Sequence, residues 1–184
     1  MMIVPIEKKH AREIAELHHK YTRSLLKDLG RRMCIVFYET ELKSENNFGC
    51  VYVENSKVLG FILGTKNNSR LFKSPRILVE LFFALCRKPI LIKRFIFQII
   101  NKFPPAPEVA YIAVDLIFRG KGIGTQLLLT QHEAFRERGI TYYEAKVDAD
   151  NIPSLLLFKK LGAKIKNEFI ENGIRRFRLQ NKID

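Results

Sequence analysis

In the stretch "YIAVDLIFRGKGIGTQLL" (residues 111–128) a β-branched, apolar run gives way to Arg119, Gly120, Lys121, Gly122 and Gly124, and then to a leucine-rich run. Glycines between a strand and a helix let the backbone close around an anion. The helix that follows offers free N–H groups and the positive end of its dipole. The chemistry on offer is phosphate binding, and three loop designs can be compared. The P-loop spacing G-x-x-x-x-G-K-[ST] does not occur. The dinucleotide spacing G-x-G-x-x-G fails, because the last glycine counted from Gly120 is replaced by Thr125. The pattern R/Q-x-x-G-x-G/A fits through Arg119, Gly122 and Gly124. A plain strand-to-helix turn would use the same glycines, so the loop alone leaves both readings open.

Candidates for acid–base work lie close by. Glu108 precedes Val114 by six residues, and in an unbroken strand that spacing puts both on one face. Glu144 is a weaker candidate on a neighbouring strand. His18 and His19 fall on a first helix and are expected to be exposed. Cys34, Cys50 and Cys86 are scattered, with no C-x-x-C spacing, so neither a zinc site nor a disulfide framework is expected and no metal is called for.

The elements that must position these residues follow from periodicity and breakers. "MIVPI" reads as a first strand. "REIAELHHKY" has Ile14, Leu17 and Tyr21 at helical spacing. "LLKDLGRRMCIVFYETEL" reads as further helix broken near Gly30. "FGCVYVENSKVLGFILG" is a hairpin turning at Asn55-Ser56. Residues 69–102 look helical in two segments split before Pro89, which suits a first helical position. "PPAP" (104–107) leads into a strand over 108–116. A helix ends near Gly139, and the strand "ITYYEAKV" follows. "NIPSLLLFKKLG" is a short helix closed by Gly162. "FIENGIRRF" carries an Asn172-Gly173 hairpin turn. The fold class is α/β, with hairpins at both ends, and the whole chain (1–184) reads as one domain.

Bulk properties narrow the partners. A chain of 184 residues can bury a sizeable core. The N-terminus lacks a signal-peptide pattern, and no apolar run is long enough to span a membrane, so a cytoplasmic protein is expected. The net charge of +13 points to an anionic partner. Residues 66–102 hold nine Lys/Arg against one acid, Glu80. Within them Ile77, Leu78, Leu81, Phe82 and Leu85 share one helical face. Ile92, Phe95, Ile96, Ile99 and Ile100 share another, with Arg94, Gln98 and Asn101 opposite. Two helices packed on the sheet are the expected outcome. A homodimer surface, a lid over the acceptor site and peripheral contact with an anionic membrane are the alternatives. No helix-turn-helix or RNA-binding signature accompanies the charge, so nucleic acid is not expected.

Residues 108–163 resemble the GNAT superfamily of acyl-CoA-dependent N-acyltransferases. The likeness rests on "IAV" five to seven residues before Arg119, the "RGKGIG" loop, the helix, the strand, and then "NIPSLLLFKKLGA". The resemblance implies a single mixed, mostly antiparallel sheet flanked by helices. It implies acetyl-CoA (coenzyme A) as the donor, with its pyrophosphate wrapped by Arg119, Gly120, Lys121, Gly122, Ile123, Gly124 and Thr125. It places Ile112, Ala113 and Val114 beside the acyl group, Asn151 and Ser154 against the pantetheine arm, and Glu108 as the base that deprotonates the amine. Asn151 also suits a plain helix cap, and Ser154 a small packing residue. Many relatives have a tyrosine acid where this chain has Phe158. Phenylalanine can pack against the cofactor but cannot protonate a leaving thiolate, and Tyr111, Tyr142 and Tyr143 are the alternatives. The implied activity is transfer of an acetyl group to a primary amine, with the charge pointing to an acidic acceptor. The alternative is a non-enzymatic acyl-CoA-binding or membrane-surface protein.

Overall fold

The computed structural model describes residues 2–100 and 104–183. Seven strands form one sheet in the order β1 (Met2–Pro5), β2 (Asn47–Glu54), β3 (Lys57–Thr65), β4 (Glu108–Val114), β5 (Tyr142–Asp148), β7 (Ile174–Lys182), β6 (Lys164–Glu171). Every neighbouring pair is antiparallel except β4 with β5. The mixed, mostly antiparallel sheet is the expected one. Both hairpin turns form where expected. Asn55 and Ser56 take φ of 49° and 60°, and Asn172 and Gly173 take 54° and 77°. Two consecutive positive φ values match the right-handed twist of the flanking strands.

Helices cover both faces. On one face α1 (Ala11–Tyr21), α2 (Leu25–Leu29), α3 (Arg31–Glu41) and α4 (Pro75–Arg87) bury Ile14, Leu26, Phe37 and Ile77 against Phe61 and Leu63 of β3. On the other, α6 (Ile123–Arg136) and α7 (Ile152–Lys160) bury Leu127, Phe135 and Leu155 against Ile62 and Tyr143. Alternation along β3 feeds the two cores: Phe61 and Leu63 go one way, Ile62 the other.

Several boundaries differ from expectation for local reasons. The helix expected from residue 69 begins only at Pro75, after a 3-10 turn over Asn68–Arg70 and a positive φ at Phe72. Proline disfavours helical backbone in the residue before it and suits the first helical position, so it fixes this start. α5 (Leu91–Ile100) begins beyond Pro89, which lies in the preceding turn. β4 ends at Val114 rather than 116, because the Asp115 carboxylate accepts the Ile117 N–H and starts a 3-10 turn over Leu116–Phe118. In α5 only Phe95 of the expected apolar face packs against the core. Ile92, Ile96, Ile99 and Ile100 are exposed, whereas Arg94 turns inward to pair with Asp28 at 2.7 Å. In α4, Ile77, Leu81 and Ala84 are buried, but Leu78 and Phe82 are exposed. Asn101 lies outside the described residues.

His18 is fully buried, contrary to expectation. Its Nδ1 lies 2.8 Å from the Tyr38 hydroxyl and its Nε2 2.7 Å from Ser24 Oγ. The buried Tyr38 O–H has no other partner among the described residues, so it donates to Nδ1. Nε2–H then donates to Ser24 Oγ, which also accepts the Lys27 N–H at 3.1 Å. Burial, reinforced by His19 and Lys27, pushes the His18 pKa down from 6.5 to about 3. The unfolded chain takes up this proton near pH 6.5 and the folded chain only near 3. The stability from a neutral His18 is therefore complete above pH 6.5 and is lost as pH falls toward 3. Linkage predicts that this one group removes about 2 kcal/mol of stability between pH 7 and 5. Urea titrations at the two pH values should show that loss in the wild type. In His18→Gln the loss should shrink by about that amount, whatever the variant's stability at pH 7.

Candidate functional site

The two halves of the sheet meet at one short seam. β4 and β5 pair only through Glu108 with Glu144 and Val109 with Ala145, buttressed by the Glu144 N–H donating to the Pro107 carbonyl at 2.9 Å. Beyond it β4 stays with β3 as far as Val114, and β5 stays with β7 as far as Asp148. The edge of β4 that faces β5 has no strand partner from Ala110 onward. A local cause lies in the register. Leu63 opposes Tyr111 but Gly64 opposes Val109, so β4 carries one extra residue, Ala110. Such a bulge bends its strand and increases the local twist.

The bulge corrects one expectation. It reverses the alternation between Glu108 and Val114, so they lie on opposite faces. Val114 and Ile112 pack toward α6, and Tyr111 and Ala113 toward α1 and α3. Glu108 shares the Tyr111 side and lines a cavity of 970 Å³ that opens where the strands part. Its carboxylate accepts a hydrogen bond from Asn68 Nδ2 at 2.5 Å, and Asn68 is itself tied to Ala106 through both backbone and side chain. The other cavity carboxylates are neutralised. Asp148 and Glu171 bind Arg176, and Asp150 binds Arg23 at 2.6 Å. Glu108 has no basic partner among the described residues. Glu144, by contrast, is clamped by Lys166 and Arg178 and stands outside the cavity wall.

The glycine turn stands at the edge of this opening. Gly120 and Gly122 take φ of 78° and 80°, and a Cβ on either would meet nothing within 4 Å, so the concave side is open. Gly122 is the N-cap of α6, which leaves the N–H groups of Ile123, Gly124 and Thr125 without carbonyls a turn earlier. These groups and the exposed Lys121 fit a diphosphate. Arg119 is the member of the loop that reaches the cavity wall. Its Nε donates to the Val114 carbonyl at 3.1 Å, and its guanidinium lies 5.2 Å from the Tyr21 ring centre. The rest of the loop, Ala113 and Val114 do not line the cavity, whereas Ile112 does.

The α7 residues close the opposite wall. Asn151 caps α7, its side chain accepting the Ser154 N–H at 3.2 Å, which leaves its amide N–H₂ free to donate. Asn151, Ser154 and Phe158 all line the cavity, Phe158 from a buried position. Of the three tyrosines, Tyr111 lines it. Burial, helped by the charge of Glu108, raises the Tyr111 phenol above its usual value. Its hydroxyl carries no hydrogen bond among the described residues, so its proton is available. Tyr143 is instead buried beneath α6, with its hydroxyl bound by Asn181 at 2.8 Å. Sequence reasoning missed Ser24 and Asn68, both cavity residues. Ser24 was legible as a helix cap, and Asn68 gave no signal. His18 sits behind Ser24, with Nδ1 engaged by Tyr38 and Nε2 by Ser24, so it has no lone pair left for an acceptor. No group of metal-ligating side chains occurs among the described residues.

With this geometry in hand, known proteins can be compared. The profile described as "Acetyltransferase (GNAT) family" matches residues 12–163. The L-2,4-diaminobutyric acid acetyltransferase of Virgibacillus pantothenticus is 37% identical over 70 residues, 36% of this chain and 44% of that protein. The chain thus spans less than half the length of the curated relatives it matches. An N-acetyltransferase from Staphylococcus aureus Mu50 shares the fold with a TM-score of 0.66 at 19% identity, covering 100% of this chain and 98% of that one. The yncA protein of Salmonella typhimurium, solved with its cofactor acetyl-CoA, has a TM-score of 0.66 at 17% identity, covering 100% and 94%. The split sheet, the open glycine turn at the head of α6 and the match across most of its length together establish that the chain belongs to the GNAT family of acetyltransferases.

Proposed function

We propose that the protein is an N-acetyltransferase that moves an acetyl group from acetyl-CoA to a primary amine. The observation that carries this reading is the opening between β4 and β5, with an unpaired β4 edge, a glycine turn with positive φ at its rim and one carboxylate without a basic partner among the described residues, Glu108, on its wall. Acetyl-CoA supplies a thioester whose carbonyl carbon bonds to the amine nitrogen as the carbon–sulfur bond breaks. The turn from Arg119 to Thr125 holds the diphosphate through backbone N–H groups and the charges of Arg119 and Lys121. The free edge of β4 at Ile112–Val114 offers hydrogen-bonding groups to the pantetheine arm and the carbonyl oxygen, where fixed donors are most effective. The Asn151 amide donates from the other side, and Ser154 and Phe158 fill the α7 wall.

Glu108 removes a proton from the incoming ammonium. Its burial and the Asn68 hydrogen bond fix its position, and the lack of a cationic partner leaves its charge available. Tyr111 stands in for the acid that Phe158 cannot be. It lines the cavity, and its hydroxyl carries no hydrogen bond among the described residues. The likeness to a diaminobutyrate acetyltransferase makes small diamines and amino acids with a side-chain amine the first acceptors to screen.

Two measurements test this. In calorimetric titrations, acetyl-CoA and free coenzyme A should bind the wild type. Both Gly122→Glu and Lys121→Glu should weaken binding roughly tenfold or more by placing an anion against the diphosphate. Unchanged affinity in both variants would show that the turn does not hold the cofactor. Thiol release that depends on an added amine is the second measurement. Glu108→Gln should lower kcat/KM by about 10²- to 10⁴-fold while acetyl-CoA affinity stays the same. A protein that binds acetyl-CoA but never releases thiol with any amine in the panel would be a binding module.

A further inference from the structure

Of the eighteen exposed large hydrophobic residues among those described, ten lie between Leu78 and Ile100, on α4, α5 and the turn between them. Arg94 and Gln98 of α5 face the protein, Arg94 bound to Asp28 and Gln98 on the cavity wall, while Ile92, Ile96 and Ile100 are 41%, 48% and 74% exposed. On α4 a second stripe, Val79, Phe82 and Phe83, is 58%, 63% and 49% exposed, with the two rings packed edge to face against each other. An amphipathic helix normally buries its apolar stripe. The buried contacts are made by Ile77, Leu81, Ala84 and Leu91, with Leu85 and Phe95 packed beside them, and two further apolar stripes remain outside.

The segment's own exposed charges are all basic, with Arg76 paired to Glu39 and Arg87 to Glu80. Lys66, Arg70, Lys73, Arg76, Arg87, Lys88 and Lys93 are all exposed, and the one acid of the segment, Glu80, is buried beneath Arg32 and Arg87. We infer that the α4–α5 face docks on an anionic phospholipid surface, with the isoleucines and phenylalanines entering the interface and the cations meeting lipid phosphates. Helices that lie in the interface combine these two features. A second copy of the chain is a poorer occupant. A two-fold contact would set this face against itself and bring exposed cations such as Lys88 and Lys93 against their own copies. The face is also continuous with the cavity, because Leu78 and Ile99 belong to both. Docking therefore places one wall of the cavity at the lipid surface.

The test is co-sedimentation of the full chain with sucrose-loaded vesicles at physiological salt and without acetyl-CoA, which keeps it independent of acyl transfer. Vesicles of phosphatidylcholine with roughly 30% phosphatidylglycerol should carry the protein down, while pure phosphatidylcholine should bind it at least about tenfold less well. Raising the salt should weaken the binding. The double variant Phe82→Asp with Ile96→Asp, neither of which lines the cavity, should stay in the supernatant while binding acetyl-CoA as the wild type does. Loss of acetyl-CoA binding alone would overturn the proposed activity and leave this inference standing. No sedimentation with the anionic vesicles would overturn it. So would sedimentation of the double variant equal to wild type, or a dimer abolished by the double variant in a protein that ignores vesicles.

Discussion

The structure depends on the seam where β4 meets β5. Two residue pairs and one flanking hydrogen bond join the halves of the sheet, and the cavity opens where that pairing stops. A parallel pair that ran its full length would satisfy the β4 edge and close the cavity. The bulge at Ala110 works against that by adding twist where the pairing ends. The seam is itself secured electrostatically. Glu144 lies beside Glu108 in the register, and two like charges so placed would repel. Lys166 and Arg178 neutralise Glu144, so the pairing survives and the negative charge at this point belongs to Glu108 alone.

Much of the binding half was legible in the sequence because it is local. The strand, the glycines and the helix they cap lie within one short stretch, and positive φ at Gly120 and Gly122 is what such spacing asks of a backbone. Both hairpin turns were legible for the same reason. Glu108 was found as a residue but placed on the wrong face, since a bulge depends on the pairing partner and leaves no mark in its own strand. Its companion Asn68 comes from forty residues away, brought by a 3-10 turn that periodicity does not reveal. His18 could have been foreseen. With Ile14, Leu17 and Tyr21 it forms one helical stripe, and a histidine inside such a stripe is a buried one.

The outward stripe of α5 was not legible, and the reason is physical. Periodicity finds an apolar stripe but not what covers it, and burial was assumed. Arg94 turns inward because Asp28, the acid near the end of α2, lies on the protein side. A basic side chain near an acid can prevail over an isoleucine stripe only if the stripe has somewhere else to go, or if leaving it in water is tolerated. Burial of an isoleucine is worth about 1.5–3 kcal/mol, and a partly exposed ion pair is worth less. Several outward-facing isoleucines and phenylalanines thus mark a stretch where intramolecular packing is far from optimal.

The distribution of charge completes that argument. Within the cavity Arg23 and Arg176 are matched by Asp148, Asp150 and Glu171, so most of the excess of +13 lies elsewhere. A large part of it sits on the α4–α5 segment, on exposed side chains around exposed apolar ones. Coenzyme A needs only the few cations at the head of α6, so it accounts for little of the total. The remaining charge orients the whole molecule in the field of an anionic surface rather than a small substrate in its pocket. That field and the apolar stripes point outward from the same helices, and those helices share Leu78 and Ile99 with the chamber that holds Glu108.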